Sequence, residues 1–494
     1  MPRHALSLLL AVAVPLAGCA AGPDYRPAAP SQLGVPDAFS VPGTATREDL
    51  SRWWTRFDDP LLQRLVEQAA PDNLDVAQAV TRLRQAREAL VQARADFLPS
   101  LSASGGYSRR QAIAGGSQQT QLPDGTIINT GQGSTDNFSL GADANYQLDL
   151  FGGVRRSVEG ARATYEGAGF DYASLLVSVQ GEIARNYILA RAAQAQIENA
   201  RASLAIQDEN LEIAGFRVQA GLVSSLDAEQ ARAQRAQTAA SIPNLEASYN
   251  SAVSRLGVLT GQAPGALKAE MAAVRPIPRG PAAIGTGIPA DTLRQRPDVR
   301  SAERALAAAT AQIGVAEAQL YPALNIAGGI DTAASAIGSL GDIVTGTLFA
   351  GLSQLIFDGG RTRALVRSQR AAADAAFLAY KSSVLTGLEE VENAVVALQT
   401  AQARAAQFRI ALDAANNSAI LARSQYRAGL TDFTTLNQTE TQLLSARNSL
   451  TTANSDEATA LVQLFAALGG GWDAGVTPNA ENTTTRALDA RQQD

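Results

Sequence analysis

The chain of 494 residues holds one histidine, His4, and one cysteine, Cys19. Those side chains most often supply a general base, a thiolate or a zinc ligand, so their scarcity limits the chemistry from the start. His4 lies in the segment Met1 to Gly18, which has a basic start at Arg3, an apolar run from Ala5 to Ala17 and a small-residue end. That pattern reads as a cleaved export signal. A chain processed there keeps no histidine, no cysteine pair for a disulfide and no Cys/His set for zinc. Ser-His-Asp and Cys-His catalysis are excluded with them. Paired carboxylates remain possible acid–base groups. The densest acidic group, Glu389, Glu390 and Glu392, falls in helix-forming sequence and reads as a solvated face. Gly152-Gly153 and Gly359-Gly360 read as corners between strand and helix, and Trp53-Trp54 as packing residues.

Cys19 carries a chemistry of its own. Leu16-Ala17-Gly18-Cys19 resembles the bacterial lipoprotein signal, whose cysteine thiol is acylated and becomes the first residue. Aspartate at the next position would point to the inner membrane; Ala20 points to the outer one. Acyl chains bind bilayers through about 0.8 kcal/mol per buried methylene, so several chains make a durable anchor. The Pro-rich stretch 19–48 then reads as a lipidated, extended tether. Arg3 leaves with the signal, so 41 Lys and Arg become 40 against 47 Asp and Glu, a formal charge of −7. That sign disfavours nucleic acid as a partner. Past residue 18 there is no apolar run of 18 residues or more, so no transmembrane helix is expected.

The elements that position any functional group come from an internal repeat. Leu98-Pro99-Ser100-Leu101 answers to Tyr321-Pro322-Ala323-Leu324, and the seven residues from Gln147 to Gly153 answer to Gln354 to Gly360. Ala220-Gly221-Leu222 answers to Ala428-Gly429-Leu430, and Leu259-Thr260-Gly261 to Leu468-Gly469-Gly470. The first half carries about sixteen extra residues, which the Gly/Ser/Gln-rich stretch Gln111 to Asp136 supplies as a long exposed loop. Val154 to Ala220 and Arg361 to Ala428 lack proline and are rich in helix formers, giving two helices of roughly 100 Å each. Leu176, Ile183, Ala190, Ile197, Leu204 and Leu211 recur every seven residues, as do Val384, Val391, Leu398, Ala405 and Leu412. Such spacing marks helices packed along their length. After each Ala-Gly-Leu a helix returns, Val223 to Leu259 and Asp432 to Leu468, with Pro243 bending the first. Shorter helices, Leu74 to Phe97 and Val299 to Leu320, precede the strand regions.

Asn137 to Leu150 alternates without a break, with Phe138, Leu140, Ala142, Ala144, Tyr146 and Leu148 against Asn137, Ser139, Gly141, Asp143, Asn145 and Gln147. Fourteen residues tilted by about 40° rise roughly 35 Å, enough to cross an outer membrane's apolar band. Leu101 to Ser108 and Leu324 to Asp331 keep the pattern less strictly, and Leu348 to Phe357 does not declare two faces. Two hairpins on a soluble core would also alternate, but the long rods attached to them favour the membrane. Four strands cannot close a barrel in lipid, so the barrel must be shared between chains; composition leaves two or three copies open.

These residues resemble the TolC-type outer membrane factors, in the lipoprotein subgroup serving resistance-nodulation-division (RND) efflux pumps. The resemblance runs from Trp53-Trp54-Thr55-Arg56-Phe57-Asp58-Asp59-Pro60-Leu61 to Leu468-Gly469-Gly470-Gly471-Trp472. Its most specific part is Ile288-Pro289-Ala290-Asp291-Thr292-Leu293 running into Arg296-Pro297-Asp298-Val299-Arg300-Ser301-Ala302-Glu303, then Ala318-Gln319-Leu320-Tyr321-Pro322. Membership implies a mixed α and β membrane protein: a homotrimer with a twelve-stranded β-barrel, four strands per chain, continuous with a twelve-helix periplasmic α-barrel and girdled by an equatorial belt. It implies a passive exit duct for drugs and other small molecules, not an enzyme, with no cofactor beyond the covalent lipid on Cys19. Its partners would be a periplasmic adaptor protein, an inner membrane RND-type pump and outer membrane lipid. The duct of a type I protein secretion system shares the fold and is the alternative. The expected organisation is signal peptide 1–18, lipidated tether 19–48, belt 49–70, repeat one 71–261, connector 262–290, repeat two 291–470 and a belt or disordered tail 471–494.

The family closes its periplasmic end by coiling the hairpin tips inward around a charged and aromatic ring. The resemblance places gate candidates at Asp227, Tyr426, Arg427, Asp432, Thr435 and Gln438. Thr435 and Gln438 stand where well-known members carry aspartates, so the narrowest ring is either uncharged or takes its charge from Asp432. Three copies of an aspartate around one axis would attract cations and repel anions. The turns Gly221-Leu222-Val223-Ser224 and Gly429-Leu430-Thr431 are the expected adaptor-docking tips, with glycine also permitting the turn.

Overall fold

A computed structural model describes residues 20–41, 49–111, 113, 118–121, 123, 125–130 and 134–479. Cys19, residues 1–18 expected as a signal peptide, and the end of the tail lie outside the described residues. The chain divides into two compact units: residues up to Arg26 with 88–163 and 307–375, and residues 27–87 with 164–306 and 376–494.

Unit 1 is built on one antiparallel sheet. Its strands are β1 (Ser100–Arg110), β4 (Thr135–Leu148), β5 (Ala323–Ala334) and β6 (Thr345–Ser353), in the order β1-β4-β5-β6. The central strand keeps the length its alternation predicts. Stretch 111–136 was expected as loop, yet it carries a second hairpin, β2 (Gln118–Gln121) paired with β3 (Ile127–Thr130). Gly125 in the turn takes φ +89, a conformation glycine adopts without strain, and Thr126-Ile127-Ile128 favours strand. The sequence reading gave that stretch's polar composition more weight than this short β-branched run.

The register resolves the faces that sequence left ambiguous. Leu101 lies opposite Ala144, Ala144 opposite Gly328, and Gly328 opposite Leu348. One residue along, Ser102 lies opposite Asp143, Asp143 opposite Gly329, and Gly329 opposite Thr347. Side chains alternate across a strand, so Leu348 and Leu352 join Leu101, Tyr107, Leu140 and Ile330 on one face. All six are exposed, Leu348 by 85%. The other face carries Ser102, Asp143, Asn145, Asp331 and Thr347, with Phe349 its large apolar exception.

Unit 2 contains the far reaches of four long helices. In chain order the α-helices among the described residues are α1 (Pro30–Leu33), α2 (Pro60–Glu67), α3 (Ala69–Asp72), α4 (Leu74–Ala95), α5 (Gly153–Gln219), α6 (Ser225–Leu259), α7 (Lys268–Met271), α8 (Pro289–Gln295), α9 (Pro297–Ala318), α10 (Arg361–Arg427) and α11 (Phe433–Ala467). Pro243 lies inside α6, which continues through it. Of the seven-residue stripe on α5, Leu176, Ile183, Ala190 and Ile197 are buried, while Leu204 and Leu211 towards the tip are half-buried. The stripe on α10 behaves alike, from buried Val384 to half-buried Leu412.

The belt segments share one core with these helices. Trp53 is 1% exposed and stacks on Phe465 of α11 at 5.3 Å between ring centres. Asp59 caps α2, accepting from the Leu61 and Leu62 amides through Oδ1, while Oδ2 accepts from the Tyr187 hydroxyl at 2.7 Å. Burial of Tyr187 and its bond to Asp59 push the phenol up to about 12. Arg191 lies over the Tyr187 ring and donates to the Met271 and Ala273 carbonyls, tying the connector to α5.

Two expectations are corrected. The tether is packed along the part described: Leu33 of α1 is buried, and Ser40 donates its amide and hydroxyl to Glu392. Prolines stiffen such a segment, but Leu33, Phe39 and Val41 give it apolar surface to bury. The acidic group on α10 is likewise more than a solvated face. Glu390 pairs with Arg296 at 2.5 Å, and the Ser40 bonds hold the Glu392 carboxyl below its ordinary value. At the other end Trp472 is buried, donating to the Gln295 carbonyl and packing edge-on to Phe170.

Candidate functional site

The hairpin tips lie at the ends of α5/α6 and α10/α11, and both are closed by the same backbone turn. Leu222 N–H donates to the Arg217 carbonyl and Gly221 N–H to that of Val218, each at 2.9 Å. Leu430 donates to Gln425 at 2.8 Å and Gly429 to Tyr426 at 3.0 Å. The glycines take φ +70 and +76, which this helix stop requires. Each return helix has its own cap: Ser224 Oγ accepts from the Leu226 amide, and Asp432 Oδ1 from the Thr435 amide at 2.8 Å. That bond holds the Asp432 carboxyl below its ordinary value. A turn of this type usually tucks its next apolar residue against the helix it ends. Here Leu222 and Leu430 remain 69% and 78% exposed.

Where the two tips meet, charge and aromatic groups lock together. Tyr426 is buried with Ala214, Ala231, Ala422, Phe433 and Leu436, its ring edge-on to Phe433 at 6.0 Å. Arg217 of the first hairpin lies over the Tyr426 ring at 4.7 Å and donates to the Tyr426 carbonyl at 3.2 Å. Burial pushes the Tyr426 phenol up, the Asp227 charge adds to this, and Arg217 opposes it. Arg427 pairs with Glu209 across the same junction. Arg423 binds buried Glu440 through two donors, and those bonds hold its guanidinium above its ordinary value.

The candidate residues therefore separate into distinct environments. Tyr426 is buried between the hairpins, and Asp227 is half-buried within electrostatic range of its ring. Arg427, Asp432, Thr435 and Gln438 are exposed, the first in an ion pair and the second as a helix cap. Val223 and Thr431 are half-buried, while Gly221, Ser224 and Gly429 are exposed. The sequence reading passed over Arg217, Glu209, Arg423 and Glu440. Arg217 had one signal, a cation in the last turn before a helix stop, but nothing in the sequence showed which hairpin it would reach. Among the described residues no group of His, Cys, Asp or Glu could hold a metal ion, and no helix is long and apolar enough to cross a membrane.

This chain's two halves match one family profile twice over. The profile, described as outer membrane efflux protein, covers residues 65–262 and 288–470, nearly the limits of the two repeats. The chain belongs to the outer membrane efflux protein family. Nodulation protein T of Rhizobium leguminosarum bv. trifolii is 33% identical to it over 462 residues, 93% of this chain and 96% of that protein. The pyoverdine export outer membrane protein OpmQ of Pseudomonas putida is 28% identical over 477 residues, 96% and 98% of the two. The solved outer-membrane channel OprN superposes with a TM-score of 0.81 at 33% identity, covering 92% of this chain and all of that one. In this chain the sheet leaves the outer edges of β1 and β6 without a strand partner among the described residues.

Proposed function

We propose that the chain is one of three wall segments of an outer-membrane channel, the passive exit duct of a tripartite efflux system. The observation that carries this reading is the four-stranded sheet: one face apolar and exposed, the other polar, both edges open. Open edges are not tolerated in lipid, so the edges must pair with those of other copies. Three copies give twelve strands, and the polar face then lines water. The pyoverdine-export relative points to small-molecule cargo carried outward. A duct of this kind contributes no chemical step and is no enzyme. Energy comes from an inner membrane RND-type pump through a periplasmic adaptor.

The tips serve two tasks in this reading. The exposed Leu222 and Leu430 offer the adaptor an apolar contact at each turn. The Arg217–Tyr426 contact holds neighbouring hairpins together, and its release widens the periplasmic end, with Asp227 and Asp432 setting the charge a solute meets. Cys19 carries the acyl anchor that keeps the N-terminus at the outer membrane. Deleting the encoding sequence should lower the tolerated concentration of several drugs, and the wild-type chain should restore it. Unchanged susceptibility with lost export of a protein would instead identify a type I secretion duct.

A further inference from the structure

The residues that follow Cys19 are held in place. In unit 1 the Ala21 amide donates to the Phe151 carbonyl at 2.8 Å, at the corner between β4 and α5. Arg156, in the first turns of α5, is 5% exposed and reaches back to the same segment. Its Nε donates to the Ala21 carbonyl at 3.1 Å, and Nη2 to the Gly22 carbonyl at 3.2 Å and to Asp24 at 2.6 Å. Nη1 is taken by Glu159 at 2.7 Å. Burial lowers the affinity of this guanidinium for its proton, but the Asp24 and Glu159 carboxylates more than restore it.

Three glycines make the room. A Cβ on Gly152 would stand 2.8 Å from the Ala20 Cα and Cβ, and one on Gly314 of α9 would stand 2.7 Å from the Ala21 carbonyl oxygen and from Arg156. Gly22, at φ +83, would drive a Cβ into the Gly314 backbone. Real Cβ atoms do not approach other atoms so closely, so residues 20–22 can lie this near only because these three positions are glycine. Beside them the Phe151 and Tyr321 rings stack at 4.7 Å, and Leu98, Ile356 and Phe357 near the strand ends are exposed. Aromatic and apolar residues at the foot of barrel strands lie where bilayer meets water.

We propose that Arg156 and the glycine groove form a docking site for the acylated N-terminus, fixing residues 20–24 so that the acyl chains on Cys19 enter the leaflet beside Phe151 and Tyr321. This rests on the lipid-anchor reading above. The anchor then belongs to the channel wall, and the length of the Pro-rich segment that follows does not set its height in the membrane.

Hydrogen exchange of the full chain in lipid nanodiscs, read by mass spectrometry on the N-terminal peptide, reports acylation and docking together. The wild type should show the acyl mass on Cys19 and exchange at the Ala21 amide at least tenfold slower than Arg156→Met. Asp24→Ala leaves Arg156, Glu159 and every helix in place, and should speed that exchange about threefold. A photo-crosslinker at position 321 should capture the acylated peptide in the wild type and lose it in Arg156→Met. Acylated Cys19 with exchange equally fast in wild type and both variants overturns the docking site. Unmodified Cys19 overturns the lipid reading beneath it.

Discussion

Replacing Arg217 with alanine tests the tip lock at its centre. In each chain the substitution removes a charged hydrogen bond to the Tyr426 carbonyl and a cation held over the Tyr426 ring. A charge-assisted bond is worth about 1.5–3 kcal/mol, and 3.2 Å places this one at the weak end. The cation–π contact adds about 1 kcal/mol, and the half-exposed position of Arg217 screens both. A net loss of about 2 kcal/mol per chain changes the ratio of joined to parted tips by a factor of about 30. The assay is single-channel recording in planar bilayers, comparing open probability and conductance with wild type. Arg427→Ala is the internal control, because the Arg427–Glu209 pair is 58% and 52% exposed and worth at most about 1 kcal/mol. Arg217→Ala should open the channel far more often, and Arg427→Ala should barely change it. Equal opening in the two variants, or none in Arg217→Ala, refutes the reasoning.

Further outcomes follow from the same geometry. Leu348→Arg places a charge on the apolar face and should cost about 2–4 kcal/mol of insertion, whereas Thr347→Arg, the next residue on the opposite face, should insert normally; the yield of membrane-embedded oligomer reads both. Gly429→Val forces a β-branched residue to φ +76 and should cost about 1–2 kcal/mol at the turn, seen as faster hydrogen exchange of the second tip with the first unchanged. Tyr187 is held at about 12 against an ordinary 10.0, so its share of stability is complete below pH 10 and is lost as pH rises through 12. Tyr187→Phe should lower the thermal midpoint at neutral pH and narrow its gap to wild type between pH 10 and 12; a constant gap contradicts the assignment.

Much of the architecture was legible because the strongest signals in the chain are periodic. The four long helices begin and end within two residues of their glycine and leucine punctuation, since long runs of good helix formers, interrupted by proline only at Pro243, leave few alternatives. The central strand β4 was readable for the same reason. Strand β6 was not, because Leu348, Phe349, Ala350 and Leu352 give a nearly continuous apolar run; only pairing with β5 shows that Phe349 points away from Leu348 and Leu352. The N-terminal segment was misread because proline content speaks to stiffness, while docking depends on distant partners such as Glu392. At the tips, the glycines announced the turns. The lock between hairpins stayed hidden because Arg217 and Tyr426 are far apart in sequence and their meeting is a tertiary fact.

One chain by itself is an incomplete stretch of channel wall. Native mass spectrometry of the channel released from nanodiscs tests it most directly. The expected particle holds three chains, whose twelve strands close without an edge. A stable particle of a single chain, with β1 and β6 still open to lipid, would contradict it.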